Sequence, residues 1–186
     1  MDNHIVPVFK VDKAIAVAAT FIKQSGGTCD KYWLNKVMYF IERESLVKSG
    51  QPLFFDELYA LPLGPIASAV NDGIDITAYP IDSIWAMYFS LQGNAVILKE
   101  EPDYSVLSNF ENNLIQEIYD KFMGWDFPQL HRYFHNLPEN KETTSRKDIS
   151  YAEILEAEGL DPKLIQETLS EISYISDLER TLSSAS

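Results

Sequence analysis

The most distinctive part of the sequence lies between residues 34 and 65 and contains three pieces that predict local structure. They read LNKVMYF at positions 34–40, GQPLF at 50–54 and GP at 64–65. In the first piece, Leu34, Val37 and Met38 are spaced as on one face of a helix, and Ile41 continues that face. This spacing predicts a helix whose apolar side is buried in the core.

The second and third pieces predict changes of chain direction. Gly50 suits the left-handed conformation that ends a helix, and Pro52 blocks any continuation soon after it. Gly64 and Pro65 redirect the chain again, because a proline disfavours helical geometry in the residue before it. The long helix is therefore expected to be followed by a turn, a short element and a second turn.

Lys36 is the residue of this stretch that a buried helix face does not explain. Two arrangements would accommodate its charge. The stem could lie along Tyr39 or Phe40, or the amine could pair with an acid such as Glu57.

Helical periodicity and capping residues predict that most of the remaining chain is helical too. The helix that contains residues 34–41 is expected to start at Thr28 or Asp30 and to end near residue 49. Asp12 is expected to cap a preceding helix that ends near residue 24. A helix from Ser105 or Ser108 to residue 123 would bury Phe110, Leu114, Ile118 and Phe122, and others are predicted over 127–135, 151–158 and 161–182. Residues 139–148 are polar and charged and are expected to form an exposed loop.

Short strands are predicted in the middle of the chain. One covers residues 56–61, and two more, at 85–91 and within 95–99, are joined by the hairpin turn Gly93-Asn94. Pro65 suits the first turn of a short helix through residue 70, and residues 71–82 are expected to form an irregular loop. The predicted fold class is α+β, a mainly helical single domain with a small antiparallel β-sheet. We expect this domain at residues 1–155, with a C-terminal helical extension at 156–186 that packs on the domain or on a partner.

Composition narrows the function classes. The chain has 186 residues, of which 28 are acidic and 15 are Lys or Arg, so its formal net charge is −13. Such a surface disfavours direct nucleic-acid binding and suits a basic protein partner, although acidic charge also serves solubility alone. The single cysteine fits a reducing compartment, and we predict neither a signal peptide nor a membrane span. The expected location is cytoplasmic, and the oligomeric state stays open.

Few residues suggest catalysis or metal binding. Cys29 lies near a helix start, where a thiolate is favoured, but a nucleophile would also need a nearby base. His131 and His135 are spaced like a metal-binding pair, yet Arg132 stands where a zinc protease has its glutamate. We predict no enzyme activity, no cofactor and no metal, and we expect the two histidines to order the region between helices.

The stretch at 34–65 resembles the Panacea antitoxin domain, a family that includes SocA-like and GepA-like proteins. The resemblance extends loosely over residues 10–155. Near its end the family often has a His followed by Pro-Trp, whereas here Glu139 stands in place of the Trp. The residues that carry the resemblance, most of them structural in expectation, are Leu34, Lys36, Tyr39, Gly50, Pro52, Leu53, Phe54, Glu57, Gly64 and Pro65.

The resemblance implies an antitoxin that binds a cognate protein toxin and blocks it. Some members of the family instead deliver the toxin to a protease, and others are found in phages or mobile elements. An alternative is a phage or mobile-element protein that inhibits a host protein by presenting DNA-like acidic charge. We expect the partner contact outside the 34–65 stretch, at Trp85, Tyr88, His131 and His135 and on the C-terminal helices.

Overall fold

The computed structural model describes residues 8–78 and 82–184. Within these ranges the chain forms eight α-helices, six β-strands and a short 3-10 helix at Tyr104–Val106. In chain order the elements are α1 (Val11–Gln24), β1 (Thr28–Asp30), α2 (Lys31–Ser49), β2 (Leu58–Leu61), β3 (Gly64–Ala67), α3 (Ser68–Ile76), α4 (Ile84–Tyr88), β4 (Phe89–Gln92), β5 (Ala95–Leu98), α5 (Asn109–Phe122), α6 (Phe127–His135), β6 (Lys147–Ile149), α7 (Tyr151–Ala157) and α8 (Pro162–Ser184).

Helix α2 is the centre of the molecule. The Asp30 side chain caps it by accepting a hydrogen bond from the Trp33 N–H at 3.0 Å, and Gly50 ends it in the left-handed conformation. Both ends agree with the predictions from sequence. The helix contacts α1, α3, α5, α6, α7 and β3, and it is buried on nearly all sides. A helix surrounded in this way must bury polar side chains as well as apolar ones.

Two antiparallel three-stranded sheets flank this helix, with strand orders β1-β5-β4 and β3-β2-β6. The predicted hairpin at Gly93-Asn94 is confirmed, since Gln92 pairs with Ala95 across it. The α+β class is confirmed as well. Strands β1 and β6 were not predicted, because three-residue strands carry no recognisable alternation.

Several predicted boundaries in the middle of the chain were wrong. Pro65 lies in strand β3 opposite Ala60, and the helix that follows starts only at residue 68. That helix continues to residue 76 and so occupies the first half of the segment predicted as a loop, 71–82. Residues 79–81 of that segment lie outside the described part of the chain. Residues 84–88 are helical rather than extended, because the Ser83 hydroxyl caps the helix by accepting from the Ala86 N–H at 3.1 Å.

Local capping decided two further details. Ser108, not Ser105, starts helix α5, where it forms a reciprocal capping box with Glu111. Glu111 is buried and pairs with Lys13 at 2.5 Å, while Phe110 is 43% exposed, contrary to the predicted face. Asp12 lies in the first turn of α1 rather than at its cap, which is Lys10.

The C-terminal helix α8 packs against α7 and buries Ile165 and Ile172 in the common core. A domain boundary at residue 155 stays a prediction. Across the described residues, no helix combines the length and the apolar character needed to cross a membrane.

Candidate functional site

A cleft of about 710 Å³ opens between the start of α2, the β2–β3 hairpin and the start of α6. Its walls include Tyr32, Trp125 and Phe127, and its polar lining includes Asn35 and Lys36. A concave site with mostly apolar walls and a few polar groups is the usual form of a binding site. This cleft is therefore the candidate functional site, and part of the 34–65 stretch lines it.

Lys36 is almost completely buried, with 1% of its surface exposed. Its Nζ donates a hydrogen bond to the Pro65 carbonyl at 2.8 Å and lies 4.9 Å from the centre of the Tyr32 ring. The predicted pairing with Glu57 was wrong, because Glu57 is exposed and accepts instead from the Tyr59 hydroxyl. The amine also does not reach the surface. Burial lowers the pKa of Lys36 from 10.5 to about 7.

Gly64 makes room for this lysine. A Cβ at position 64 would lie 3.2 Å from the Lys36 Nζ and 3.4 Å from the His135 ring, and the backbone φ of 92° also favours glycine. The Gly-Pro pair therefore has a direct physical link to Lys36. Gly64 leaves the space, and Pro65 supplies the carbonyl that the amine needs.

Asn35 lies beside Lys36 and is 7% exposed. Its Nδ2 donates to the Asn71 Oδ1 at 3.1 Å, and the Asn71 amide in turn donates to Asp75, which pairs with Lys31. The Asn35 Oδ1 is buried but accepts no hydrogen bond from any described residue. A buried acceptor in this state is uncommon and calls for an explanation.

A row of rings runs along one side of the cleft. Tyr32 packs on Phe127 at 4.6 Å between ring centres, Phe127 on His131 at 5.5 Å, and His131 on His135 at 4.0 Å. The two histidines thus share one face of α6, as their spacing predicted, but they interact by stacking. Burial, together with the charges of His131 and Lys36, lowers the pKa of His135. In residues 8–78 and 82–184, no cluster of three or more potential ligands could hold a metal ion.

The rim of the cleft is apolar and exposed. Leu63, at the tip of the β2–β3 hairpin, is 55% exposed, and Phe127 is 49% exposed. The Tyr32 hydroxyl donates to the Leu63 carbonyl at 3.0 Å and so fixes the hairpin tip against α2. Large apolar side chains held in place at a cleft mouth are suited to a protein contact.

A buried carboxylate explains the second piece of the signature. Glu42 is fully buried and accepts hydrogen bonds from the N–H groups of Leu53, Phe54 and Asp56 at 2.7, 2.9 and 2.8 Å. Burial raises its pKa to about 8, although these hydrogen bonds act in the opposite direction. Glu42 holds the turn in which Phe55 adopts an unfavourable φ of 59°. Glu42 was not predicted as a functional or structural site, although a glutamate within the buried part of helix α2 could have indicated one.

A buried cluster of ion pairs around Arg43 lies next to Glu42. The Arg43 Nε donates to the Glu139 Oε1 at 2.6 Å, and its other nitrogens reach Glu44 and Glu158. The Tyr39 hydroxyl also donates to Glu139, at 2.9 Å. Glu139 is therefore part of the core rather than of an exposed loop, and its charge is matched by Arg43.

The other predicted partner-binding residues lie away from this cleft. Trp85 is 5% exposed and packs so closely over Gly73 that a Cβ there would lie 2.3 Å from its ring. This burial argues against a partner contact for Trp85. Tyr88 is half-buried and lines a separate, smaller cleft of about 250 Å³. The structure thus brings His131 and His135 to the ring row but does not join Trp85 and Tyr88 to them.

The geometry gives no support to nucleophilic catalysis by Cys29. This residue lies in strand β1, and burial, assisted by the charge of Asp30, raises the pKa of its thiol to about 12. A thiol in that environment stays protonated at neutral pH, so it is a poor nucleophile.

Comparison with known proteins identifies the family. A family model described as "Antitoxin SocA-like, Panacea domain" matches residues 34–140. The chain belongs to this Panacea family. The match includes the 34–65 stretch, the hairpin tip and helix α6, and so most of the cleft. No curated protein and no solved structure matches the chain.

Proposed function

We propose that this Panacea protein is the antitoxin of a toxin–antitoxin pair and neutralises a cognate protein toxin by direct binding. Membership of an antitoxin-like family, over more than half of the chain, is the observation that carries this proposal. The role is non-enzymatic, in keeping with that family.

The cleft mouth is the surface that suits such a contact best. Its exposed Leu63 and Phe127 can bury apolar area against a partner, and the hydrogen bond from Tyr32 keeps the hairpin tip in place beforehand. The net charge of −13 favours a toxin that is basic overall, because opposite charges accelerate association. His131 and His135 continue the row of rings along α6, and we include them in the proposed contact surface.

Co-expression with the neighbouring reading frame tests the proposal. We expect the neighbouring product to stop growth when expressed alone, and growth to return when this protein is present. The two proteins should also co-purify as a stoichiometric complex, with an association rate that falls as salt increases. A neighbour that is harmless alone, or a toxic neighbour that does not bind, would contradict direct neutralisation.

A further inference from the structure

We propose that the cleft is a receptor for one acidic side chain, an aspartate or glutamate of the partner protein, which pairs with the Nζ of Lys36. The identity of the partner as a toxin rests on the proposed function, while the carboxylate site itself rests on the geometry that follows.

The first observation is that Lys36, the most deeply buried lysine of the described residues, has no carboxylate partner among them. Among the described residues no carboxylate lies within 4.0 Å of the Lys36 Nζ, and its one hydrogen bond goes to a neutral carbonyl. Acids are not scarce in this chain, since 28 of its residues are Asp or Glu. Leaving a buried cation without a partner is costly, and groups of this kind are concentrated at functional sites.

The second observation is the neighbouring acceptor. Asn35 lines the same cleft, and its Oδ1 is buried and accepts no hydrogen bond from a described residue. An acidic residue in a polypeptide provides both an acceptor for Lys36 and a donor for Asn35. Its carboxylate can accept from Lys36, and a backbone N–H next to it can donate to Asn35.

The third observation concerns the apolar side chains that would surround a bound acidic side chain. The mouth of the cleft carries Leu63 and Phe127, so a bound acidic side chain would be flanked by apolar contacts that exclude water. Exclusion of water strengthens a charge pair inside the cleft. A polypeptide can fill both the polar floor and the apolar rim, whereas a small free acid would leave the rim exposed.

The occupant is therefore a single acidic residue on a toxin that is basic overall. The two charge effects act at different ranges. The surface charge of −13 accelerates the approach of a basic protein, and the buried amine of Lys36 selects an acid at the point of contact.

The test compares toxin binding by Lys36→Met and Lys48→Met, measured by calorimetry on the full-length protein. Lys48 is a matched control, because it is an α2 lysine whose amine pairs with Glu117 near the surface. We expect Lys36→Met to weaken binding by about 30-fold or more, the usual loss when a buried charge is left without its partner. Lys48→Met should change binding by no more than about threefold. Thermal unfolding of both variants checks that each is folded.

The pH profile separates a charge contact from a packing effect. Two titratable groups lie close to Lys36, Tyr32 on its own helix and His135 on α6, and β3 contributes the Pro65 carbonyl. The same cleft is also lined by the charged residues Asp30, Lys31 and Asp126. Because the free amine loses its proton near neutral pH, wild-type affinity should fall as pH rises above about 7. In Lys36→Met this dependence should be greatly reduced, and equal profiles in the two proteins would overturn the inference.

A scan of the toxin identifies the acid. Each Asp is changed to Asn and each Glu to Gln, and one substitution should reproduce the loss seen with Lys36→Met. Combined with Lys36→Met, that substitution should produce little additional loss, because the two variants remove the same contact. If Lys36→Met binds the toxin as tightly as the wild type, the carboxylate site is wrong while direct neutralisation stands.

If no neighbouring protein binds, the proposed function is contradicted but the carboxylate site is not, and a second experiment then tests the site by itself. N-acetylglutamate and N-acetylglutamine methylamides, at millimolar concentrations, are then titrated into protein whose lysines are isotopically labelled, and NMR signals are followed. A saturating shift of the Lys36 signal with the acid only would support the carboxylate site. No shift, or equal shifts with both compounds, would overturn it.

Discussion

Helix α2 buries ionisable side chains in two regions, and these regions differ in the partners that the side chains have. Glu42 and Arg43 are buried, and each has partners: three backbone N–H groups for the first and three carboxylates for the second. Lys36 lies about 9 Å from Glu42 along the helix axis. Among the described residues, its amine has a hydrogen bond to a neutral carbonyl and a contact with the Tyr32 ring, but no carboxylate partner. The comparison suggests that the matched charges hold the fold together, whereas the unmatched one is available to a partner.

Removing the Arg43 guanidinium from its carboxylate partners should have the largest effect on the free energy of unfolding. Arg43→Met leaves the Glu139 carboxylate buried with only the Tyr39 hydroxyl as a donor among the contacts described above. We expect the free energy of unfolding to fall by about 3–5 kcal/mol, measured by urea denaturation. Lys163→Met, on the exposed part of α8, is the control and should change little. A loss no larger than that of the control would show that the Arg43 group is not what stabilises this end of α2.

Replacing the Glu42 carboxyl by an amide should lower the free energy of unfolding by a smaller amount. Glu42→Gln turns one acceptor oxygen into an amide that faces backbone donors, so at least one buried N–H loses its partner. The expected cost is about 2–3 kcal/mol. Glu117→Gln, at an exposed glutamate of α5, is the matched control. Equal stability of the two variants would contradict the role of Glu42 in holding the turn at residues 53–56.

Lys36→Met should differ from both, because its effect on stability depends on pH. The pKa of Lys36 is about 7 in the folded protein and 10.5 without burial. Between these values the unfolded chain binds more protons than the folded one, so wild-type stability rises with pH. Relative to the variant, the wild type should gain about 2 kcal/mol between about pH 7 and pH 9.

Urea denaturation of both proteins at the two pH values measures this gain. Other titrating groups, such as Glu42, are common to the two proteins and cancel in the difference. A pH-independent difference would mean that the buried amine does not titrate in this range, and the contrast between the two parts of α2 would lose its physical basis.

Local sequence signals predicted much of the architecture. The cap at Asp30, the stop at Gly50 and the hairpin at Gly93-Asn94 were all placed correctly. These features depend on residues close together in the chain, where conformational preference and side-chain capping decide the outcome. The family resemblance, carried by the 34–65 stretch, was also correct.

The errors arose where distant contacts override local preference. Pro65 was expected at a helix start, but pairing with β2 and the hydrogen bond from Lys36 keep it extended. Glu139 was expected in an exposed loop, but Arg43, 96 positions earlier, draws it into the core. Periodicity cannot reveal such pairs, because it describes only one element at a time.

The helical character, the position of the central helix, the acidic composition and the resemblance to an antitoxin family could all be predicted from the order of the residues. Which buried charges have partners became apparent only from the three-dimensional arrangement. That distinction separates Lys36 from Arg43, two cations on one helix that look alike in the sequence. The physical reason is that the energy of a buried charge depends on what surrounds it in space, and residues from α6, the β2–β3 hairpin and the loop at 139 supply those surroundings.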